Sequence, residues 1–419
     1  MYLNDLFILL DREGYEHEFI GKIVEEVLKK IKPIALHNGD NLVGLRDKVK
    51  DVILLLNVGS DDTTLMVGIY GIGGIGKTTL AKEVYNSIAN QFQGSCFLEK
   101  IRENSDTEHG LKYLQKTLLS EIIGENNCEI ASVSKGISIL QQRLHKKKVL
   151  LLLDDVDNKR QLEAIAGRSY WFGPGSRVII TTRDKRLLEC HGVERPYEVE
   201  GLKDEDAFEL VRWNALKKES RQSYKDLKSD KSLSGYADVF MRAVAYASGL
   251  PLALEVIGSH FFNKTIEECE RALARCERVP DEKIQTILQL SYNALPKEEK
   301  IVFLDIACCF KGYELTRVQQ ILHAHHGDIK NDHINVLVEK SLIKISESGI
   351  VTLHDLVEYM GKQIVEREST DPGERSRLWC CEDIIRVLQE NKVSNNDMEK
   401  LCLMLLMFLL PFWLSALLM

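Results

Sequence analysis

Short apolar runs alternate with longer stretches in which apolar and charged positions recur every three or four residues. The runs are Leu65–Tyr70, Gly94–Ile101, Val149–Leu153 and Arg177–Thr182, each of strand length and apolar enough for burial. Helical periodicity fills Gly76–Ala89, His109–Ile123, Ile137–Leu144 and Asn158–Ile165. Strand and helix in alternation predict an α/β fold, a parallel sheet with helices on both faces. Upstream, Phe19, Ile20, Ile23, Val24, Val27, Leu28 and Ile31 form one face of a helix over Glu16–Ile31 that Pro33 stops. A short turn at Asn41–Leu45 then precedes a helix over Asp47–Leu56.

Past residue 200 the strand signal fades. Helices are predicted over Asp204–Leu216, Tyr236–Ala247, Leu252–Phe261, Lys283–Leu295, Lys297–Cys309, Leu315–His323 and Ile334–Glu339, with a polar surface loop over Lys217–Ser234. Ser341–Ile345 and Ile350–Leu353 read as a hairpin, and Asp355–Glu366 as the helix after it. Helices, a small hairpin and a further helix fit a winged-helix unit. The expected organisation is a linker helix (1–40), a nucleotide-binding domain (41–200), a helical domain (201–280), a winged-helix domain (281–392) and an apolar tail (393–419).

The nucleotide expectation comes from Gly71-Ile72-Gly73-Gly74-Ile75-Gly76-Lys77-Thr78-Thr79, a full match to G-x-x-x-x-G-K-[ST] between a predicted strand and a predicted helix. Glycine backbones wrap closely round a phosphate, and the turn delivers N–H groups and a helix N-terminus to the anion. Lys77 would reach the β- and γ-phosphates, and the Thr78 hydroxyl would ligate Mg²⁺. The apolar strand Val149–Leu153 leads into Asp154 and Asp155. Asp154 would hold Mg²⁺ with a hard oxygen, and Asp155 would orient or deprotonate an attacking water. Arg183, after Arg177–Thr182, would reach a γ-phosphate or pair with Asp184 on the surface. Together these predict a P-loop NTPase.

Composition narrows the partners. The chain has 419 residues, 55 Lys and Arg against 63 Asp and Glu, a net charge of −8 and a pI near 5.9. No overall basic field draws it to nucleic acid. Ten cysteines without a C-x-x-C pair argue for a reducing compartment and no disulfide framework. Cys308-Cys309 and Cys380-Cys381 read as small hydrophobes, and His323, His325 and His326 as a polar helix end or loop rather than a metal site.

In order along the chain, GIGGIGKTT, FLEKIRENS (Phe97–Ser105), LLLDDVD (Leu151–Asp157), GSRVIITTRD (Gly175–Asp184), YEVEGLKDEDAFEL (Tyr197–Leu210), SGLPLAL (Ser248–Leu254), FLDIACCFKG (Phe303–Gly312) and LHDL (Leu353–Leu356) resemble the NB-ARC ATPase of plant disease-resistance proteins of the TIR-NBS-LRR class. The resemblance covers about residues 15 to 390. It implies that Val43 and Gly44 line an adenine pocket, that Pro251 packs near base and sugar, and that His354 contacts the β-phosphate of ADP. Leu353 stands where that motif usually has Met. The resemblance further implies an ADP/ATP switch of innate immunity with slow hydrolysis. Its setting would be the cytoplasm or nucleus, with signalling proteins and further copies of itself as partners. The TIR domain and the leucine-rich repeats are expected to be essentially absent, so no NAD cleavage is expected.

Leu401–Met419 lacks charge and is long enough to span a bilayer, with Pro411 in its middle. It reads as a membrane anchor, a docked helix or apolar translation of shifted sequence. The rival functions are a polymer-remodelling ATPase, a small-molecule kinase and a non-hydrolysing adaptor for a full-length receptor.

Overall fold

A computed structural model describes residues 35–38, 42–59, 62–105, 107–124, 129–216, 234–279, 281–326 and 331–389. The predicted helix Glu16–Ile31, nearly all of the polar loop and the apolar tail lie outside these residues. Among the described residues no helix is long and apolar enough to cross a membrane. The chain divides into two compact units. Among the described residues, one comprises 35–38, those within 49–67 and those within 78–180, the other those within 42–48, 68–77 and those from 181 to 389.

Helix α1 (Arg46–Leu56) precedes β1 (Leu65–Tyr70), α2 (Lys77–Ile88), β2 (Gly94–Leu98), α3 (Ile101–Asn104), α4 (Glu108–Ile123) and α5 (Val133–Leu144). Then come β3 (Val149–Val156), α6 (Lys159–Ile165), β4 (Arg177–Thr182), α7 (Lys185–Cys190) and β5 (Arg195–Glu198). The strands form one sheet in the order β2-β3-β4-β1-β5. Strands β2 and β3 run parallel, with Gly94 opposite Val149 and Leu98 opposite Leu153. Residues Val149–Leu153 are wholly buried, which explains a continuous apolar run rather than an alternating one. Local chemistry sets the helix starts. Thr107, Ser132 and Asn158 cap α4, α5 and α6 with side-chain oxygens, and Asn158 and Gln161 complete a capping box.

Several expectations need correcting here. Strand β2 stops at Leu98, because Lys100 takes a left-handed backbone (φ 53°) and Ile101 opens a helical turn. Strand β3 runs on through Asp154 and Asp155 to Val156, with Asp155 itself at φ 54°. Strand β5 was not predicted; it holds Pro196 and lies at the end of the strand order, where a missing N–H costs no ladder bond.

In the second unit, α8 (Asp204–Leu216), α9 (Ser234–Ala247), α10 (Pro251–Phe261) and α11 (Ile266–Arg278) close round Phe240. Its ring lies 6.0 Å from that of Phe208 and 5.9 Å from that of Phe261. Helices α12 (Glu282–Asn293) and α13 (Lys297–Asp305) follow, and α13 passes into a π-helical turn over Ile306–Phe310 rather than continuing as α-helix to Cys309. Next are α14 (Leu315–His326), α15 (Asn331–Glu339), the hairpin β6 (Lys344–Ile345) and β7 (Val351–Thr352), α16 (Asp355–Glu366) and α17 (Cys381–Gln389). The ladder is shorter than the predicted hairpin and pairs Lys344 with Thr352 and Ile345 with Val351. A Cβ on Gly361 of α16 would stand 2.5 Å from the Ala307 Cβ, so glycine permits that close approach. Cys308 is buried as expected, whereas Cys380 is exposed and is not a core hydrophobe.

Candidate nucleotide-binding site

The loop after β1 is built by its glycines. Gly74 and Gly76 have φ of 80° and 94°, in the left-handed region where a side chain is costly. A Cβ on Gly73 would come within 2.8 Å of Arg183 Nη1, and one on Gly74 within 2.8 Å of Leu252. The Gly74 carbonyl accepts from Leu252 N–H at 3.2 Å, and Pro251 opens α10 beside the loop, 3.9 Å from the Cβ position of Gly76. Lys77 is 8% exposed, and its ammonium donates to the carbonyls of Gly71 (2.9 Å) and Ile72 (2.8 Å). The loop therefore folds round a buried cation.

Thr78 directly follows Lys77, and in the first unit its hydroxyl donates to Asp154 Oδ1 at 2.7 Å. Asp154 is 3% exposed. Two adjacent hard oxygens suit Mg²⁺, which takes its remaining ligands from water and phosphate rather than from an all-protein cage. The Thr79 carbonyl accepts from Asn38 Nδ2 at 2.7 Å. Asp155 pairs with Arg102 at 2.7 Å.

Arg183 Nη1 donates to the Ile287 carbonyl (2.7 Å) and meets Ser291 Oγ (3.3 Å), both on α12. Its neighbour Asp184 caps α7 and pairs with Lys340 at 2.5 Å. Gly44 (φ 66°) packs on Leu202 and Asp206, since a Cβ there would stand 2.7 and 2.9 Å from their side chains; Val43 beside it is half-buried.

His354 is the N-cap of α16, two residues beyond the last residue of β7. Its Nδ1 accepts from Leu356 N–H and its Nε2–H donates to the Ser248 carbonyl, both at 3.2 Å. That pattern requires the neutral ring, since a protonated Nδ1 cannot accept. Burial pushes the imidazole below the usual histidine range, against the opposing pull of Asp355 and the Ser248 carbonyl. The unfolded chain therefore takes up this proton more readily than the folded one. Stability from His354 is full above the unfolded value of about 6.5 and is lost as pH falls through the lower folded value. Thermal melts at pH 7.5 and 5.5 should show an acid loss that His354→Gln reduces.

Gly71, Ile72, Val199, Ser248, Leu353 and His354 line one cavity of about 120 Å³. Sequence reasoning missed Ser248, whose carbonyl holds His354 and whose hydroxyl meets Asp355 at 2.6 Å. It also missed Lys311, which pairs with Asp355 and with Glu358. Serine before Gly-Leu-Pro carries no signal of its own; the position reads as a helix end.

Residues 45–221 match the NB-ARC domain model, and residues 296–369 match the winged-helix domain of the Roq1-like disease resistance protein. The chain carries an NB-ARC domain. Its nucleotide-binding domain is thus a P-loop NTPase fold, followed by a winged helix. The disease resistance protein RUN1 of Vitis rotundifolia is 40% identical over 91% of this chain and 28% of its own length. The TMV resistance protein N of Nicotiana glutinosa is 36% identical over 91% of this chain and 32% of its own length. The chain spans about a quarter to a third of the length of these relatives. Among solved structures, the Walker-type ATPase paby2304 of Pyrococcus abyssi aligns at 12% identity with a TM-score of 0.49, over 80% of this chain and 99% of its own.

Proposed function

We propose that this chain is an ADP/ATP switch of plant intracellular immunity, off with ADP, on with ATP, and reset by slow hydrolysis. The loop Gly71, Gly73, Gly74 and Gly76 with Thr79 would cradle the phosphates, with Lys77 as their cation. Val43 and Gly44 would meet the adenine, and Pro251 the base and sugar. Thr78 and Asp154 would hold Mg²⁺, which when bound neutralises phosphate charge. Arg183 would reach the γ-phosphate, and Asp155 would receive the proton of the attacking water. His354 would contact the β-phosphate of ADP.

The observation that carries this reading is the cavity shared by the first residues of the phosphate loop and His354 of the winged-helix segment. A diphosphate held on the loop and reaching into this cavity would touch both segments, and it would favour the arrangement that keeps them together by its differential affinity. On activation the partners would be signalling proteins or further copies of the chain, in the cytoplasm or nucleus. The acidic balance disfavours nucleic acid.

The test is to purify the full chain, denature it and identify the released nucleotide by chromatography. Near-stoichiometric ADP is expected. His354→Ala should speed ADP release about 10- to 100-fold, as expected for losing one hydrogen bond to a charged group. An empty protein with rapid, polymer-stimulated ATP turnover would reject the switch in favour of a remodelling ATPase.

A further inference from the structure

The segment Phe97–Ser105 has no role in the nucleotide reading so far, yet it is fastened to the strand that carries Asp155. Arg102 Nη2 lies 2.7 Å from Asp155 Oδ2, and both side chains are only 21% exposed. Helix α3, which carries Arg102, is anchored by Ile101, wholly buried. Beyond it, Ser105 Oγ accepts from Gln161 Nε2 at 2.7 Å, and the same amide donates to Asp157 at 2.8 Å. The pair is therefore held from both ends.

A second, independent feature marks the same place. Lys100 and Asp155 both take left-handed backbones, at φ 53° and 54°, without being glycine. Each such residue costs about 1–3 kcal/mol and persists where its surroundings over-determine it, commonly at functional sites. At Asp155 the left-handed backbone falls within β3, and Arg102 is a cation that its carboxylate meets. A plain surface ion pair would need neither the strained backbone nor the buried anchor.

We infer that Arg102 is a positioning residue for hydrolysis, fixing the orientation of the Asp155 carboxylate. The inference rests on the reading of Asp155 given above. In that step the water oxygen bonds to the γ-phosphorus, and the bond from that phosphorus to the β–γ bridging oxygen breaks, leaving its electron pair on ADP. The water proton goes to Asp155. Arg102 touches none of the reacting atoms; it sets where the accepting oxygen points.

The experiment uses the full chain with Mg²⁺ and ATP. It compares wild type, Arg102→Ala, Arg102→Lys, Asp155→Asn and the Arg102→Ala/Asp155→Asn double variant. Single-turnover hydrolysis, the Kd for ATP and the ATP share of nucleotide released from the purified protein are measured. Arg102→Ala should slow hydrolysis about tenfold, since small misplacements of a catalytic group cost up to about a hundredfold. The Kd should stay within about twofold, the ATP share should rise, and lysine should restore part of the rate. In the Asp155→Asn background Arg102→Ala should add nothing, because groups acting as one unit are non-additive. Equal slowing in both backgrounds, or a Kd weakened as much as the rate, overturns the inference. A slow Asp155→Asn with a wild-type Arg102→Ala rejects the positioning role alone. Wild-type turnover by Asp155→Asn rejects the base reading and the inference with it.

Discussion

Lys77→Ala is expected to weaken nucleotide binding about 10- to 100-fold and to yield protein that purifies largely empty. A hydrogen bond to a charged group contributes about 1.5–3 kcal/mol, and each 1.4 kcal/mol is a factor of ten in affinity. Lys77 is buried to 8% exposure with its ammonium on the Gly71 and Ile72 carbonyls, so the loop already encloses the cation that a phosphate needs. Truncation also leaves these two carbonyls without that donor. The effect on folding should therefore be visible but smaller than the effect on binding. Lys77→Met, which keeps most of the stem volume, separates the two. Calorimetric titration with ADP should find both variants weak, and thermal melts should find methionine nearer to wild type. Tight ADP binding by Lys77→Met would remove Lys77 from the site.

The loop was legible in the sequence because its chemistry is local. The glycines, Lys77 and Thr78 form one run between an apolar strand and a periodic helix, and the same elements stand in the structure. Asp154 was legible for the same reason, as the first acid after five wholly buried residues. The features that escaped depend on distant partners or on weak apolar signals. Strand β5 (Arg195-Pro196-Tyr197-Glu198) is half-buried throughout and has no alternation to read. Helix α11 buries Cys269, Leu273 and Cys276 at helical spacing, yet two of the three are cysteines amid a dense charge pattern that resembles a solvated segment. The left-handed backbone of Asp155 and its partner Arg102 lie more than fifty positions apart, and only the register of β2 with β3 relates them. The sequence offers Arg183 a phosphate or Asp184 as partner; its contacts to α12 belong to a segment over a hundred residues away.

Arg177 carries the largest stability effect expected in the first unit, and its importance could not be read from its charge. It opens β4 and is wholly buried. Its guanidinium binds backbone: Nε donates to the Leu56 carbonyl, Nη1 to those of Thr63 and Ser176 (2.8 Å each), and Nη2 to that of Asn57 at 2.7 Å. Three of those carbonyls belong to the end of α1 and the turn into β1, where Asn57 has a left-handed backbone (φ 45°) and cannot continue the helix. The arginine thus supplies the donors that a terminating helix lacks. Each buried carbonyl left unmatched costs about 1–3 kcal/mol. Arg177→Met, which keeps the stem but removes the fork, is therefore expected to destabilise by about 3 kcal/mol or more, seen as a lower urea midpoint. Lysine should recover only part of the loss, since one ammonium cannot span four carbonyls as the planar fork does. Because β1 leads straight into the phosphate loop, ADP affinity should fall in step with folded fraction and not beyond it. An Arg177→Met protein that melts like wild type would show that the turn holds without its fork.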